Sequence, residues 1–141
     1  MTPTPVIPSK GTPSNGADLR RLPVFAHLSR RARAQARALT TPVTFAPGRA
    51  LCREGEVGRE AFVILSGTAT VARAGVTVAE VGAGDVVGEA ALLGDGRRNA
   101  TVTATSPVTA LVMSIREFNS LLTLPGVDAS IRGLHQSRGA A

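Results

Sequence analysis

The sequence predicts one domain of mainly β structure, a barrel or a sandwich, with helices at its ends. Its 141 residues match the usual size of a single compact domain. From residue 41 onward, short runs of Val, Thr, Phe and Ile alternate with Gly- and Pro-containing turns, which is typical of such folds. Helix-forming composition precedes this region, follows it and interrupts it once.

Three segments are expected along the chain. Residues 1–17 are mainly Pro, Thr, Ser and Gly with almost no apolar clustering, so they are predicted to be disordered. The folded domain is predicted over residues 18–124. Residues 125–141 form a C-terminal tail, because Pro125 interrupts the chain there.

The first helix is predicted to begin after Ser29, whose hydroxyl can cap the N-terminus. The next ten residues are rich in Ala and Arg, which are good helix formers, and Pro42 ends the segment, so the helix should run to about residue 40. His27, in the apolar turn before the helix, is expected to be packed against its neighbours.

Two β-hairpins are predicted from turns that separate short apolar runs. The first joins residues 62–65 to 68–73 across Ser66-Gly67, and the second joins residues 100–105 to 108–114 across Ser106-Pro107. Another strand is expected beyond Gly75.

Two further helices are predicted near the C-terminus. Ser114 can cap a helix from residue 115 to about 123. Val127, Ile131 and Leu134 recur at helical spacing and indicate a weaker helix, which Gly133 makes fragile.

The composition argues against most enzyme classes. The chain has two histidines, one cysteine, and neither Tyr nor Trp, so zinc sites, Cys–His dyads and Ser-His-Asp triads are nearly excluded. We therefore expect no catalytic residue and no metal site. Cys52 is predicted to be a small core residue, and His135 a surface residue rather than one that stacks on a purine.

The charge and hydropathy of the chain indicate where it is located and what kind of partner it binds. The net charge is +6, and all but one of the 16 basic residues are arginines, which suit bidentate contacts to phosphate. No apolar run approaches the roughly 18 residues that span a bilayer. No secretory signal pattern opens the sequence. The chain is therefore expected to be cytoplasmic, with a phosphate-bearing partner and no membrane contact.

Residues 84–100 interrupt the strand pattern and are the candidate binding segment. Gly88 follows a strand, and helix-forming residues begin at Glu89, so the N–H groups of Glu89, Ala90 and Ala91 lie at a helix N-terminus and can bind an anion. Gly94 and Gly96 then allow the chain to turn back.

This turn can return Arg97 or Arg98 to the same anion. A carboxylate at Glu89 is compatible with a bound phosphate if it accepts a hydrogen bond from a neutral hydroxyl of the ligand, as a ribose would provide.

The segment resembles the phosphate-binding cassette of cyclic nucleotide-binding domains, as in protein kinase A regulatory subunits, catabolite activator protein and cyclic-nucleotide-gated channels. The matching cassette residues are Gly88, Glu89, Ala91, Leu92, Arg98, Ala100, Thr101 and Val102. Matches outside it are Pro47-Gly48, Leu51, Glu54-Gly55-Glu56, Gly58, Phe62-Val63-Ile64, Ser66-Gly67 and Gly84. The resemblance covers about residues 19–124.

The resemblance implies a jelly-roll-like β-roll of about eight strands with helices at both ends. It implies that Glu89 accepts from the ribose 2′-OH, that Arg98 pairs with the cyclic phosphate, and that amides near Ala90 and Ala91 complete the phosphate site. The base would rest on strand residues and on a C-terminal lid. The implied ligand-binding residues are Gly88, Glu89, Ala90, Ala91, Arg98, Asn99 and Ala100.

Two residues depart from the family pattern. Asn99 stands where the family mostly has Ala, Thr or Ser, beside the phosphate, so the choice between cAMP and cGMP stays open, with cAMP preferred. Arg97 stands where proline is common, and it is expected to be a solvated neighbour rather than a second phosphate contact.

The first functional hypothesis is a non-enzymatic cAMP sensor whose C-terminal helix, ordered by the ligand, changes contacts with an unknown effector protein or domain. The alternative is a β-roll interaction scaffold that binds no ligand, and Glu89 and Arg98 would then be a structural ion pair.

A third hypothesis, an Arg-rich nucleic-acid binder, ranks last, because the arginines at 30, 31, 33 and 37 are expected to form a solvated helix face. Residues 125–141 are too few for a helix-turn-helix, so no direct DNA binding is expected.

Overall fold

The computed structural model describes Leu19 and residues 21–137. The prediction for residues 1–17 lies outside the described residues, as does the side chain of His135. The strands are β1 (Thr41–Phe45), β2 (Ala50–Cys52), β3 (Glu60–Ser66), β4 (Ala69–Arg73), β5 (Val76–Val81), β6 (Val86–Val87), β7 (Thr101–Ala104) and β8 (Val108–Ser114). The helices are α1 (Arg30–Ala38), α2 (Glu89–Leu93), α3 (Ile115–Leu121) and α4 (Val127–Ser137).

The strands form two four-stranded antiparallel sheets with the orders β1-β8-β3-β6 and β2-β7-β4-β5. The predicted mainly β fold with flanking helices is confirmed. It is a jelly-roll-like β-roll, in which strands distant in the sequence become neighbours.

The two hairpins predicted across Ser66-Gly67 and Ser106-Pro107 are wrong. Strand β3 pairs with β6 and β8, whereas β4 pairs with β5 and β7, so each of these turns carries the chain from one sheet to the other. The two turns pack against each other. A side chain at residue 67 would collide with the carbonyl oxygen of Pro107, so glycine is needed there.

Hydrogen bonds hold these two corners together. The Thr68 N–H donates to the Ser106 hydroxyl at 2.9 Å, and the Thr105 N–H donates to the Thr68 carbonyl at 2.9 Å. The hairpin between β4 and β5, by contrast, is local. Its turn residues Ala74 and Gly75 both have positive φ, as the tight turns of twisted hairpins require.

Strand β3 separates two apolar clusters because successive side chains of a strand point to opposite faces. Ala61 and Val63 pack in the first cluster with the flanking helices. Phe62 and Ile64 pack in the second cluster, between the two sheets. The candidate binding segment, residues 84–100, borders the second cluster.

The predicted caps of α1 and α3 are confirmed. The Ser29 hydroxyl accepts from the Ala32 N–H at 3.1 Å. Ser114 and Glu117 form a reciprocal capping box at the start of α3. His27 is exposed rather than packed, and its Nε2 lies 2.8 Å from the carbonyl oxygen of Pro125. This contact ties the turn before α1 to the loop before α4.

The weak C-terminal helix is present as α4. Its residues Val127 and Ile131 are fully buried in the first cluster. The apolar face of the tail therefore packs against the helical side of β3.

Candidate functional site

Within the candidate binding segment, residues 84–100, strand β6 is followed directly by Gly88 and helix α2. Gly88 precedes α2 in the left-handed region with φ +85°, and among the described residues no side chain caps this helix. A Cβ at residue 88 would lie 2.5 Å from Nη1 of Arg98 and 3.0 Å from the carbonyl oxygen of Glu60. Both the backbone conformation and the close approach therefore require glycine.

The loop after α2 returns toward the helix, as predicted. The Gly96 N–H donates to the Ala91 carbonyl at 3.0 Å, and the Gly58 N–H donates to the Gly96 carbonyl at 2.8 Å. The Arg98 N–H donates to the Glu56 carbonyl at 2.8 Å. These bonds fix the backbone of Arg98 against residues 55–58.

The Arg98 side chain points into the protein and is only 8% exposed. Its Nη1 donates to the Gly88 carbonyl at 3.0 Å, and its guanidinium carbon lies 5.8 Å from the centre of the Phe62 ring. Gly58 leaves room for it, because a Cβ there would lie 3.0 Å from that carbon. A cation is thus held in a largely dry position, where an anion would interact with it strongly.

Glu89 is the first residue of α2 and is fully buried. Its charge and that of Arg98 both act on the buried Cys52 thiol. Burial raises the pKa of that thiol to about 12, the Arg98 charge opposes the rise, and the Glu89 charge adds to it. The buried carboxylate and guanidinium therefore belong to one electrostatic environment.

A small cavity of about 10 Å³ lies at this point. Its lining residues are Cys52, Gly88, Ala90, Ala91, Arg98, Asn99, Ala100 and Val102. Of the seven residues predicted to bind a ligand, all except Glu89 are among them. Sequence reasoning left Cys52 and Val102 out of that set. Strand alternation, which turns both side chains into the β-roll, could have found them.

A larger cavity of about 220 Å³ was not predicted. Its lining residues are Val43, Phe45, Leu51, Cys52, Arg53, Glu56, Val57, Arg59, Glu60, Phe62, Arg98 and Val112. The two cavities share Cys52 and Arg98, so these side chains stand between them. The larger cavity is built by strands β1, β2, β3 and β8, whose proximity no local pattern indicates.

Arg97 and Asn99, the two departures from the family pattern, are both exposed. The Arg97 guanidinium donates to the Gly55 carbonyl at 3.2 Å, and its backbone N–H donates to Asp95 Oδ1 at 2.9 Å. The predicted solvent exposure of Arg97 is confirmed. Asn99 lines the small cavity, in a position to contact a ligand there.

Helix α4 lies away from both cavities. Among the described residues, none that line either cavity belongs to α4. Val127 and Ile131 are buried in the first cluster, on the opposite side of β3 from Phe62, which lines the larger cavity. The predicted covering of a base by this apolar face is thus not the arrangement seen, and it would require α4 to leave this packing.

Within the described part of the chain, no group of His, Cys, Asp and Glu side chains could hold a metal ion. None of the helices described there is long and apolar enough to cross a membrane.

Comparison with known proteins gives a family match. The model of the cyclic nucleotide-binding domain matches residues 42–123. A cyclic nucleotide-gated potassium channel from Rhizobium etli is 36% identical over 112 residues, which are 79% of this chain and 31% of the channel. The chain spans less than a third of the length of the curated relatives it matches.

Solved structures agree with the fold. A structure described as Sp-2Cl-cAMPS bound to PKAR CBD2 superposes with a TM-score of 0.79 at 21% identity and covers 92% of both chains. A cAMP-binding acyltransferase from Mycobacterium smegmatis superposes with a TM-score of 0.73 at 30% identity, over 89% of this chain and 41% of that one.

Proposed function

The chain belongs to the cyclic nucleotide-binding domain family, and on that premise we propose that it is a non-enzymatic sensor module that binds cAMP at the small cavity. The observation that carries the proposal is the buried Arg98 guanidinium, held by the Gly88 carbonyl beside the N-terminus of α2. A cation in a desolvated position is costly unless it serves an anionic partner. A cyclic phosphate is such a partner.

Different groups of the cassette would contact the phosphate and the ribose of the ligand. Arg98 pairs with the phosphate, and the N–H groups of Ala90 and Ala91, in the first turn of α2, add hydrogen bonds to its oxygens. Glu89 accepts from the ribose 2′-OH. Because Glu89 is fully buried, this hydrogen bond forms in a low-dielectric setting, where it is stronger than in water.

The preference for cAMP over cGMP is a proposal that depends on Asn99 and on the apolar strand surface. Asn99 is exposed and lines the small cavity, where the resemblance implies a position beside the phosphate. Two of the lining side chains from the strands, Cys52 and Val102, present little hydrogen-bonding capacity to a guanine. The acyltransferase that is 30% identical is itself described as cAMP-binding, which supports the same ligand.

We propose that the bound nucleotide is reported to an effector protein or to an attached domain. The matched region covers less than a third of each of these relatives, and a channel and protein kinase regulatory subunits are among them, so a module of this kind is combined with different effectors. Helix α4 is the element proposed to report occupancy, because it contacts both α2 and β6, which flank Gly88.

A second candidate function is an interaction scaffold without a ligand. The observation in its favour is the volume of the small cavity, about 10 Å³, which is no larger than one water-sized probe. A nucleotide would have to lie over its open side or widen it.

Calorimetric titration with cAMP and then cGMP separates the two functions. Protein freed of co-purified nucleotide should bind one cAMP per chain, more tightly than cGMP, because the described residues contain one cassette arginine of this kind. A flat titration at high protein concentration would exclude the sensor and leave the scaffold.

A further inference from the structure

The larger cavity has the features of a second binding site, and Arg98 is the one cassette residue that lines it. Its volume of about 220 Å³ exceeds that of an apolar cavity of about 150 Å³ known to hold benzene, so a molecule of bicyclic size fits. Only Cys52 and Arg98 are shared with the small cavity. The cavity lies between β1 of one sheet and β2 of the other, at the edge of the sandwich.

Apolar side chains form most of its wall. The rings of Phe45 and Phe62 meet edge to face with their centres 5.9 Å apart, and aliphatic side chains from three strands complete the surface. These aliphatic residues are Val43, Leu51 and Val112. Such a surface favours an aromatic or aliphatic ligand body.

The charges indicate an anionic head group. Glu56, Arg59 and Glu60 are exposed at the rim and Arg53 is half-buried there, so water screens these groups, and their two negative and two positive charges offset each other. Arg98 is the nearly buried charged residue among those that line the cavity. A carboxylate inside the cavity would therefore pair with Arg98 more strongly than with any rim residue.

We propose that the larger cavity is a second ligand site, for a small monocarboxylate with an apolar body, and that its carboxylate shares Arg98 with the nucleotide cassette. The two sites then compete for one guanidinium. Carboxylate binding lowers the affinity for cyclic nucleotide, and by linkage the nucleotide lowers the affinity for the carboxylate by the same factor.

The first test uses naphthoate as the probe and naphthol as its neutral counterpart, titrated into the full chain by calorimetry. Naphthoate should bind one to one, and naphthol at least tenfold more weakly, because it lacks the carboxylate. Equal binding of the two compounds, or no saturable binding of naphthoate, would overturn the proposal.

The second test places the probe in the cavity. Val112→Phe puts a ring into the cavity and should weaken naphthoate at least tenfold. The matched control Val78→Phe adds the same ring on β5 at a residue that is 52% exposed and lines neither cavity, and it should change nothing. Unchanged binding in a folded Val112→Phe variant would contradict the site.

A measurement on the unaltered protein makes the test independent of how that variant folds. In methyl NMR spectra, naphthoate should shift the signals of Val43 and Leu51, and not those of Val76 and Val78 on the distant strand β5. Shifts confined to residues outside the cavity would overturn the assignment.

The third test addresses the shared arginine and alone rests on the proposed function. Saturating naphthoate should weaken cAMP binding at least fivefold. Undiminished cAMP affinity would exclude Arg98 as the carboxylate partner and so overturn the proposal. If cAMP does not bind at all, the sensor function fails, while the naphthoate titrations still decide the second site by themselves.

Discussion

At the scale of single residues, Arg98 and Arg97 make a matched pair that tests the cassette. They are adjacent, but Arg98 is nearly buried with its guanidinium on the Gly88 carbonyl, whereas Arg97 is exposed. Arg98→Leu should weaken cAMP by about two to four decades, because losing one partner of a desolvated charge pair costs roughly 3–5 kcal/mol. Arg97→Leu should stay within about threefold by calorimetry. Equal losses would show that the phosphate contact is wrongly assigned.

Cys52 gives a prediction about alkaline pH. Burial raises the pKa of its thiol from 9.0 to about 12, so the unfolded chain loses this proton at a lower pH than the folded one. The stability that depends on this group is complete below pH 9 and is lost as the pH rises toward 12, at about 1.4 kcal/mol per pH unit. Urea unfolding should show this fall in the wild type and a shallower one in Cys52→Ala. An identical slope in both proteins would contradict it.

At the scale of elements, the turn before α2 adopts a left-handed backbone conformation and also leaves room for the Arg98 side chain. A control variant at another glycine with positive φ can separate these two roles. Gly88 and Gly75 both have positive φ, but a Cβ at residue 75 meets nothing within 4 Å, whereas one at residue 88 meets Arg98. Both Gly→Ala changes should cost about 1–2 kcal/mol of stability through backbone strain, and Gly88→Ala should cost more than Gly75→Ala because its Cβ also crowds Arg98 and the Glu60 carbonyl. Gly88→Ala alone should also weaken cAMP at least tenfold, because it displaces the arginine. Calorimetry and urea unfolding measure the two effects separately, and equal affinities in both variants would argue against this role of Gly88.

Helix α4 is a structural element as well as a proposed reporter. Ile131 is fully buried in the first cluster, so Ile131→Ala should lower the free energy of unfolding by about 2–5 kcal/mol. The same change at Ile115, which is 46% exposed, should cost well under half as much. Urea denaturation compares them, and similar losses would mean that α4 is not packed as described.

Amide exchange tests the reporting role of α4. Cyclic nucleotide should change protection in residues 126–136 as well as in the cassette, because α4 contacts α2 and β6. A change confined to residues 84–100 would place the reporting element elsewhere.

Sequence reasoning recovered those parts of the molecule that are specified locally. The caps at Ser29 and Ser114 and the short helix after Gly88 follow from neighbouring residues. The hairpins across Ser66-Gly67 and Ser106-Pro107 failed because a Gly or Pro turn looks the same within a sheet and between two sheets. The packing of one corner on the other decides between them, and it is a contact between residues far apart in the sequence.

At the scale of the whole molecule, the same limit applies to the site. The cassette could be named because its residues lie within one short segment and resemble a family motif. The larger cavity draws its walls from both ends of the β region, with Val43 and Val112 on paired strands, so no window of sequence contains it.

The pairing of strands that lie far apart in the sequence also constrains how the chain can fold. The pairs β1–β8, β2–β7 and β4–β7 each close a long loop, whereas β4–β5 is a local hairpin. Thr41, for example, pairs with Val112. Closing such loops costs chain entropy before the stabilising contacts between the strands have formed, so folding should take milliseconds to seconds rather than microseconds. During synthesis, β1 has no partner until β8 has left the ribosome. The pairing of β1 with β8 is therefore among the last to form, although β1 is the first of the described strands to be made.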